Sequence, residues 1–195
     1  GVSSMQKLPL NGLLGRDSAL GEEQLAYSAL KVKVGADPLE AAQRVVAICE
    51  AVSADTILRL DANRAWSMGE LKTFAQHIDV SRIAYIEEPL INGLGLGSVF
   101  SQTGLSIALD ESLLERGPDH PQFEEGVVAI IVKPTLLGSL EKIAAWSEAA
   151  EMQGIQRVFS SCFESGVWHW SIARLGLAFA DRCPAGLDTH RAFTA

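Results

Sequence analysis

The chain has 195 residues, of which 48% are hydrophobic and 21% are charged, and its formal net charge is -8. This length supports one globular domain with a sizeable core, and the mixture of apolar and charged residues excludes a disordered chain. No apolar run approaches the roughly 18 residues that a membrane span requires. The acidic balance argues against a nucleic-acid surface, which needs clustered Lys and Arg. We therefore expect a domain whose partners are neither nucleic acid nor membrane.

The cysteines bear on the compartment. Cys49, Cys162 and Cys183 are widely spaced and form no C-x-x-C pair. An odd, scattered set favours neither a disulfide framework nor a zinc site, so we expect a reducing compartment, the cytoplasm. The opening residues 1–4, GVSS, do not resemble a native start. We expect the chain to be a slice of a longer protein.

Short β-branched or apolar runs recur along the chain, and most of them end in a polar residue. Runs of this kind are typical of strands that are buried on both faces of a parallel sheet. Six such strands are predicted, at 28–33, 56–61, 83–87, 105–110, 127–133 and 157–160. Weaker strands are predicted near 8–11 and 186–188, which brings the number to eight.

Helical patterns lie between several of these runs. The pair Asp37-Pro38 begins a predicted helix that continues to about residue 51. Residues 67–70, SMGE, form a capping box for the next helix. Two more helices are predicted, one at 140–152 with Gly154 just beyond its end and one at 165–180.

The polar residues that end the strands recur roughly every 25 positions, and each unit holds a strand followed by a helix. With eight strands, this repeat predicts an α/β fold, a TIM-like (β/α)8 barrel, or a (β/α)7β barrel if the final helix is absent. An open doubly wound sheet is the alternative, but no G-x-G-x-x-G motif follows any predicted strand. We expect one catalytic barrel domain over residues 1–195.

Five predicted strands end in residues with useful chemistry, and the C-terminal strand ends of such a barrel meet at its mouth. These residues are Lys33, Asp61, Glu87, Asp110 and Lys133. Three carboxylates that converge in a partly buried site need a cation to stay ionised, and oxygen ligands without His or Cys favour Mg²⁺. A single Asp or Glu at a strand end is more often a helix N-cap or a salt-bridge partner. Five such positions in phase favour a site.

Several segments together resemble the enolase superfamily, muconate-lactonizing subgroup. These segments are Lys31-Val-Lys33, Leu58-Arg-Leu-Asp61-Ala-Asn63, Glu87-Glu-Pro89, Asp110-Glu-Ser112 and Val132-Lys133-Pro-Thr135. Residues 59–66, 133–142 and 160–165 are similar to the o-succinylbenzoate synthase branch of that superfamily. The resemblance runs from about Ala29 to Asp188 and implies an enolase C-terminal domain-like barrel. The N-terminal α+β capping domain of the family is expected to be missing from this chain.

The resemblance implies a role for each matching position. The positions of the Mg²⁺ ligands match Asp61, Glu87 and Asp110. Lys33 matches the base that removes the proton α to a substrate carboxylate, Lys31 adds positive charge beside it, and Lys133 matches the lysine that stabilises the enolate from the opposite face. The positions that contact the substrate match Arg59, Asn63, Ser160 and Gly186.

The activity implied by the resemblance is a hydro-lyase reaction of menaquinone biosynthesis. It is the Mg²⁺-dependent dehydration of 2-succinyl-6-hydroxy-2,4-cyclohexadiene-1-carboxylate to o-succinylbenzoate, so the partner is a small carboxylate. Two alternatives stay open. An N-acylamino acid racemase or dipeptide epimerase of the same superfamily also places paired lysines on either side of the metal. A non-catalytic barrel fragment would keep the fold without the reaction.

Overall fold

A computed structural model of the chain describes residues 7–118, 122–179 and 183–189. Within these ranges, strands and helices alternate along the sequence. The strands are β1 (Gly12–Leu14), β2 (Ala29–Lys33), β3 (Ile57–Asp61), β4 (Ile83–Glu87), β5 (Ile107–Leu109), β6 (Val127–Val132) and β7 (Gln156–Phe159). Every neighbouring pair is parallel, and the order in the sheet follows the order in the chain.

The α-helices cover the outside of this sheet. They are α1 (Glu22–Leu25), α2 (Pro38–Ala51), α3 (Met68–Ala75), α4 (Val99–Thr103), α5 (Glu111–Arg116), α6 (Pro134–Leu137), α7 (Leu140–Met152) and α8 (Gly166–Phe179). Short 3-10 turns lie at Val80–Arg82, Ile91–Gly93 and Leu96–Ser98. Among the helices so described, none combines the length and apolarity that a bilayer span requires.

Local signals in the sequence account for the helix boundaries. Asp37 accepts two backbone N–H hydrogen bonds at the start of α2, and the capping box between Ser67 and Glu70 opens α3. The prediction for α7 is confirmed at both ends, and Gly154 follows it with a φ of +69°. The prediction for α8 is confirmed as far as Phe179, and residue 180 lies outside the described residues.

The segment after α8 closes the sheet into a barrel. Its backbone forms parallel bridges on both sides, from Ala185 to Leu10 and from Gly186 to Ser160. The N–H groups of Ala185 and Gly186 each donate a backbone hydrogen bond of 2.8 Å, one towards the β1 side and one to β7. This closing segment occupies the place of an eighth strand, so the predicted barrel is confirmed.

Two strands differ from their predicted ranges by more than one residue. β1 covers Gly12–Leu14 rather than residues 8–11, and Leu10 and Asn11 pair instead with Ala185 of the closing segment. β5 is limited to Ile107–Leu109, which is shorter than the predicted run. The expectation drawn from residues 1–4 concerns positions outside the described residues.

The strands alternate between two buried surfaces. One face packs against the helices and includes Leu30, Leu60 and Ile130. The other face fills the barrel interior with a small cluster of Tyr85, Ala108, Ala129, Ile131, Val158 and Cys183. Because side chains alternate along a strand, the residues two positions beyond this cluster project towards the mouth of the barrel.

Candidate active site

Strand register brings the predicted site residues together. Lys33 is paired with Asp61 in the ladder between β2 and β3, and Asp61 is paired with Glu87 in the ladder between β3 and β4. Paired residues point to the same face of a parallel sheet, and Lys31 shares that face because it lies two positions before Lys33. These side chains therefore converge at the mouth of the barrel.

The three predicted metal ligands are buried, and two lysines, Lys31 and Lys133, make the closest contacts with them. Lys31 Nζ lies 3.0 Å from Asp61 Oδ2 and 3.0 Å from Glu87 Oε1. Lys133, which directly follows β6, forms an ion pair with Asp110 through Nζ and Oδ2. All three carboxylates belong to the buried polar residues of the protein. The structure thus places each predicted ligand against a cation of the chain itself.

The carboxylates do not form a compact ligand cluster. As the side chains stand in residues 7–118, 122–179 and 183–189, no three Asp, Glu, His or Cys residues group closely enough to hold a metal ion. Lys31 lies between Asp61 and Glu87 instead. Glu87 Oε2 is buried and accepts no hydrogen bond from a described residue, although Lys31 Nζ is 2.5 Å away.

Burial and charge perturb the titration of this group of residues. Burial raises the pKa of Glu87 to about 7, a change that Lys31 opposes and that the carboxylates of Asp61 and Asp110 reinforce. Burial acts against the charge of Lys31, but the neighbouring Glu87 and Asp61 outweigh it and raise the pKa of this lysine. Lys133 behaves alike, because Asp110 raises its pKa against the effect of burial.

Lys33 has different surroundings from Lys31. Its side chain is 37% exposed, whereas that of Lys31 is 14% exposed. Lys33 Nζ lies 3.4 Å from Asn63 Oδ1 and 3.8 Å from Asp61 Oδ2. Of the two lysines on this strand, Lys33 therefore has the more exposed side chain.

A cavity of about 210 Å³ opens at the mouth. It is lined by seven of the predicted site residues, namely Lys31, Lys33, Asp61, Asn63, Lys133, Ser160 and Gly186. In the closed barrel, β2 and β6 are four strands apart in either direction, so Lys33 and Lys133 reach the cavity from opposite sides. Glu87 and Asp110 are not in the lining and lie behind Lys31 and Lys133.

Arg59 does not line the cavity. It is paired with Lys31 and Tyr85 in the ladders, one layer below the paired site residues. Its guanidinium is buried, donates to Asn11 Oδ1 at 3.0 Å and to Pro184 O at 2.6 Å, and lies 5.5 Å from the centre of the Tyr85 ring. Arg59 thus lies beneath the site, and its position does not support the expected contact with substrate.

The side-chain contacts of Asp110 and Asp61 test the interpretation that a strand-end carboxylate is a helix cap. Asp110 does occupy the N-cap position of α5, yet its side chain makes no capping hydrogen bond to this helix. Asp61 Oδ1 accepts from Asn63 N–H at 3.2 Å, within its own loop. Neither aspartate side chain caps a helix, but both are salt-bridge partners, Asp61 of Lys31 and Asp110 of Lys133.

The cavity is also lined by residues that were not predicted from the sequence as site residues. Asn11, Ser161, Phe163, Asp188 and Thr189 belong to this group. Asp188 is buried, and its carboxylate accepts a hydrogen bond of 3.1 Å from the hydroxyl of Tyr27. The signal that could have identified Asp188 is its place at the end of the predicted last strand, where the other site residues also lie.

Comparison with known proteins gives a consistent result. A family model described as Enolase C-terminal domain-like matches residues 17–187. An o-succinylbenzoate synthase from Escherichia coli is 40% identical over 163 residues, which are 82% of this chain and 50% of that protein. The chain spans about half the length of the curated relatives that it matches.

Two solved structures share the fold. The crystal structure of MenC from Desulfotalea psychrophila matches this chain with a TM-score of 0.75 at 26% identity. The match covers 93% of this chain and 54% of the MenC chain. A dipeptide epimerase from Enterococcus faecalis, complexed with Mg and the dipeptide L-Leu-L-Tyr, has a TM-score of 0.72 at 25% identity. It covers 93% of this chain and 55% of that one.

Proposed function

This chain belongs to the enolase C-terminal domain-like family, and we propose that it is the barrel domain of an o-succinylbenzoate synthase. The reaction is the dehydration of 2-succinyl-6-hydroxy-2,4-cyclohexadiene-1-carboxylate to o-succinylbenzoate in menaquinone biosynthesis. One observation carries the proposal: Lys33 and Lys133 enter a single cavity from opposite strands, beside three buried carboxylates. The 40% identity to the Escherichia coli enzyme supports this choice of reaction.

The proposed cofactor is Mg²⁺, held by Asp61, Glu87 and Asp110. These residues fit such an ion because all three are buried oxygen donors at the ends of neighbouring strands. Glu87 Oε2 is buried and is occupied by the ammonium of Lys31 at 2.5 Å, so the chain itself places a cation where the metal ion would bind. When bound, the ion would neutralise the substrate carboxylate and stabilise the negative charge that develops on it.

Lys33 is the proposed acid and base. Its neutral amine takes the proton from the carbon α to the carboxylate, and the electron pair of that C–H bond moves towards the carboxylate oxygens. The protonated Lys33 then gives a proton to the leaving hydroxyl group as the C–O bond breaks. One water is lost, the ring becomes aromatic and Lys33 returns to its neutral form.

Lys133 and Asn63 support this proton transfer from either side. Lys133 keeps its charge through the ion pair with Asp110, so its ammonium stabilises the enolate from the opposite wall. Asn63 Oδ1 lies 3.4 Å from Lys33 Nζ and orients the base. Lys31, buried against Asp61 and Glu87, contributes positive charge beneath the reacting carboxylate.

The far wall of the cavity suits the succinyl carboxylate. Ser160 Oγ donates to Gly186 O at 3.3 Å, and the two residues come from neighbouring strands. A Cβ atom at Gly186 would lie only 2.7 Å from Ser160 Oγ, so a side chain there would displace this hydroxyl. We propose that Ser160 and the backbone of Gly186 hold the second carboxylate of the substrate.

The test is a dehydration assay on the full-length protein with this cyclohexadiene carboxylate and Mg²⁺, followed by ultraviolet absorbance. We expect turnover that stops when EDTA is added and returns with excess Mg²⁺. Absence of turnover in a folded, Mg²⁺-binding protein would contradict the proposed reaction. We further propose that the family's capping domain works with this barrel, in the cytoplasm, in keeping with the odd number and wide spacing of Cys49, Cys162 and Cys183.

A second candidate is a dipeptide epimerase or an N-acylamino acid racemase. The two opposed lysines favour it, because epimerisation needs one proton transfer on each face of the α-carbon, and a dipeptide epimerase shares the fold. Incubation with dipeptides or N-acylamino acids in D₂O distinguishes the two reactions. Deuterium at the α-carbon, without dehydration of the cyclohexadiene, would assign the epimerase or racemase reaction.

A further inference from the structure

Glu88 is buried beside the proposed metal ligands but does not line the cavity. Its Oε1 accepts hydrogen bonds from the backbone N–H groups of Asp110 at 3.0 Å and Ser112 at 2.9 Å. Asp110 is the N-cap residue of α5 and Ser112 is the second residue of the helix, so the Ser112 N–H is one that an N-cap side chain normally accepts. Glu88, from the neighbouring strand end, therefore caps the helix in place of Asp110.

Because Glu88 caps α5, the Asp110 carboxylate is not required for this role. If Asp110 capped α5 with its own side chain, its oxygens would face the helix backbone. With Glu88 in that role, the Asp110 carboxylate instead turns to Lys133 on the side of the cavity. The direction of a proposed ligand thus depends on a residue that makes no contact with the cavity.

The second oxygen of Glu88 connects three loops. Oε2 accepts from Ser112 Oγ at 3.0 Å and from Arg64 Nε at 3.1 Å. Arg64 also donates to Ser112 Oγ through Nη2 at 3.1 Å, and its backbone N–H donates to Glu88 O at 2.7 Å. Arg64, Glu88 and Ser112 follow β3, β4 and β5, the three strands that carry the proposed ligands.

The backbone at two of these residues requires support. Arg64 and Glu88 have φ values of 55° and 38°, in the left-handed region that residues with a side chain seldom adopt. Their backbones are joined by the Arg64 N–H to Glu88 O bond, and their side chains by a charged hydrogen bond. The network of Arg64, Glu88 and Ser112 thus holds a loop geometry that an isolated loop would not keep.

We propose that Glu88 is a positioning residue that directs the Asp110 carboxylate towards a divalent cation, an inference that rests on the proposed function. Glu88 acts through the backbone N–H groups of Asp110 and Ser112, and Arg64 fixes the orientation of the Glu88 side chain. Residues behind metal ligands typically affect metal affinity by 10- to 100-fold. Removal of the Glu88 carboxylate is expected to act on that scale.

The test measures Mn²⁺ binding to the full-length protein by electron paramagnetic resonance, with Mg²⁺ as competitor. In Glu88→Gln, an NH₂ group replaces one of the two oxygens. The variant therefore cannot accept both the hydrogen bonds from the backbone N–H groups of Asp110 and Ser112 and those from the side chains of Arg64 and Ser112. We expect the Kd for Mn²⁺ to rise about 10- to 100-fold. We also expect the lost dehydration activity of the folded variant to recover as Mg²⁺ is raised.

Two further variants make the experiment decisive. Glu115→Gln removes the other carboxylate that pairs with Arg64, at an exposed position, and is expected to change the Kd by no more than a few-fold. Ser112→Ala deletes the hydroxyl that donates to Glu88 Oε2 and accepts from Arg64 Nη2, but it keeps the Glu88 carboxylate, so it should shift the Kd in the same direction by a smaller factor. It provides the answer if Glu88→Gln does not fold.

The outcomes separate the two proposals. Unchanged Mn²⁺ affinity in folded Glu88→Gln, or in Ser112→Ala if the former does not fold, would overturn the role of Glu88 and leave the dehydration proposal standing. A wild-type protein that binds Mn²⁺ without dehydrating the substrate, with the affinity still lost in Glu88→Gln, would overturn the reaction and support the role of Glu88. A wild-type protein without Mn²⁺ affinity would overturn both.

Discussion

Lys31 Nζ lies 3.0 Å from Glu87 Oε1, although the two residues belong to strands separated by β3. The contact spans the intervening strand because both side chains project into the barrel, where Asp61 also meets the same ammonium. Lys31 is thereby held as a charged group, with a raised pKa. Lys31 is therefore occupied by the two carboxylates, and Lys33, whose side chain is more exposed, is the lysine of this strand that we propose as the base.

Lys33→Ala is expected to abolish turnover while leaving metal affinity unchanged. The side chain is partly exposed and lies 3.8 Å from Asp61 Oδ2, so its loss removes the base without disturbing the buried charges. General acid–base catalysis typically contributes about 10²- to 10⁴-fold, and we expect a loss of at least that size in kcat. Steady-state kinetics and a Mn²⁺ titration measure the two effects.

The matched control for this variant is Lys142→Ala. Lys142 is an exposed residue of α7 and does not line the cavity. It should retain the kcat of the wild type. Turnover that survives in Lys33→Ala would assign the base to another residue.

Mg²⁺ is expected to raise the thermal stability of the protein. An ion that binds only the folded state at 100 times its Kd adds about 2.7 kcal/mol to the free energy of unfolding. Glu87→Gln should remove most of this increase, because it deletes one of the three proposed ligands. Thermal unfolding with and without Mg²⁺ measures it, with Glu141→Gln at an exposed site as control. An equal increase in Glu87→Gln would exclude Glu87 as a ligand.

Arg59→Met is expected to reduce stability rather than substrate affinity. It leaves Asn11 Oδ1 and Pro184 O without their donor inside the barrel. A buried acceptor without a partner costs about 1–3 kcal/mol, and we expect a decrease of that order in the free energy of unfolding. Urea denaturation measures it, with the exposed Arg174→Met as control. A large rise in KM at unchanged stability would restore Arg59 as a substrate contact.

Alkylation of Cys162 is expected to be slow near neutral pH and to be blocked by product. Burial raises the pKa of the Cys162 thiol, so less reactive thiolate is present at a given pH and the rate should increase as the pH is raised. Cys49 has a pKa that burial raises in the same way, but it lies on α2, away from the cavity. Mass spectrometry after iodoacetamide treatment should show protection by o-succinylbenzoate at Cys162 alone. Equal protection at Cys49 would place the ligand elsewhere.

The sequence by itself determined where α2 and α3 begin, both ends of α7 and the strand ends that carry the site residues. Caps at Asp37 and Ser67 act over three or four residues, so their signals are complete within a short segment. The alternation of side chains along a strand is equally local. Once a parallel barrel was inferred, the position of Lys33, Asp61 and Lys133 at C-terminal strand ends predicted that they meet at one mouth, and all three line the cavity.

Only the tertiary structure decided which partner each polar group takes. Arg59 lies beneath the site because Asn11 and Pro184, far away in the chain, supply its acceptors. The capping of α5 by Glu88 depends on the distance between two strand ends, as the pairing of Tyr27 with Asp188 depends on barrel closure. Burial and charge pairing are properties of residues that become neighbours only when the sheet closes, so no local pattern encodes them.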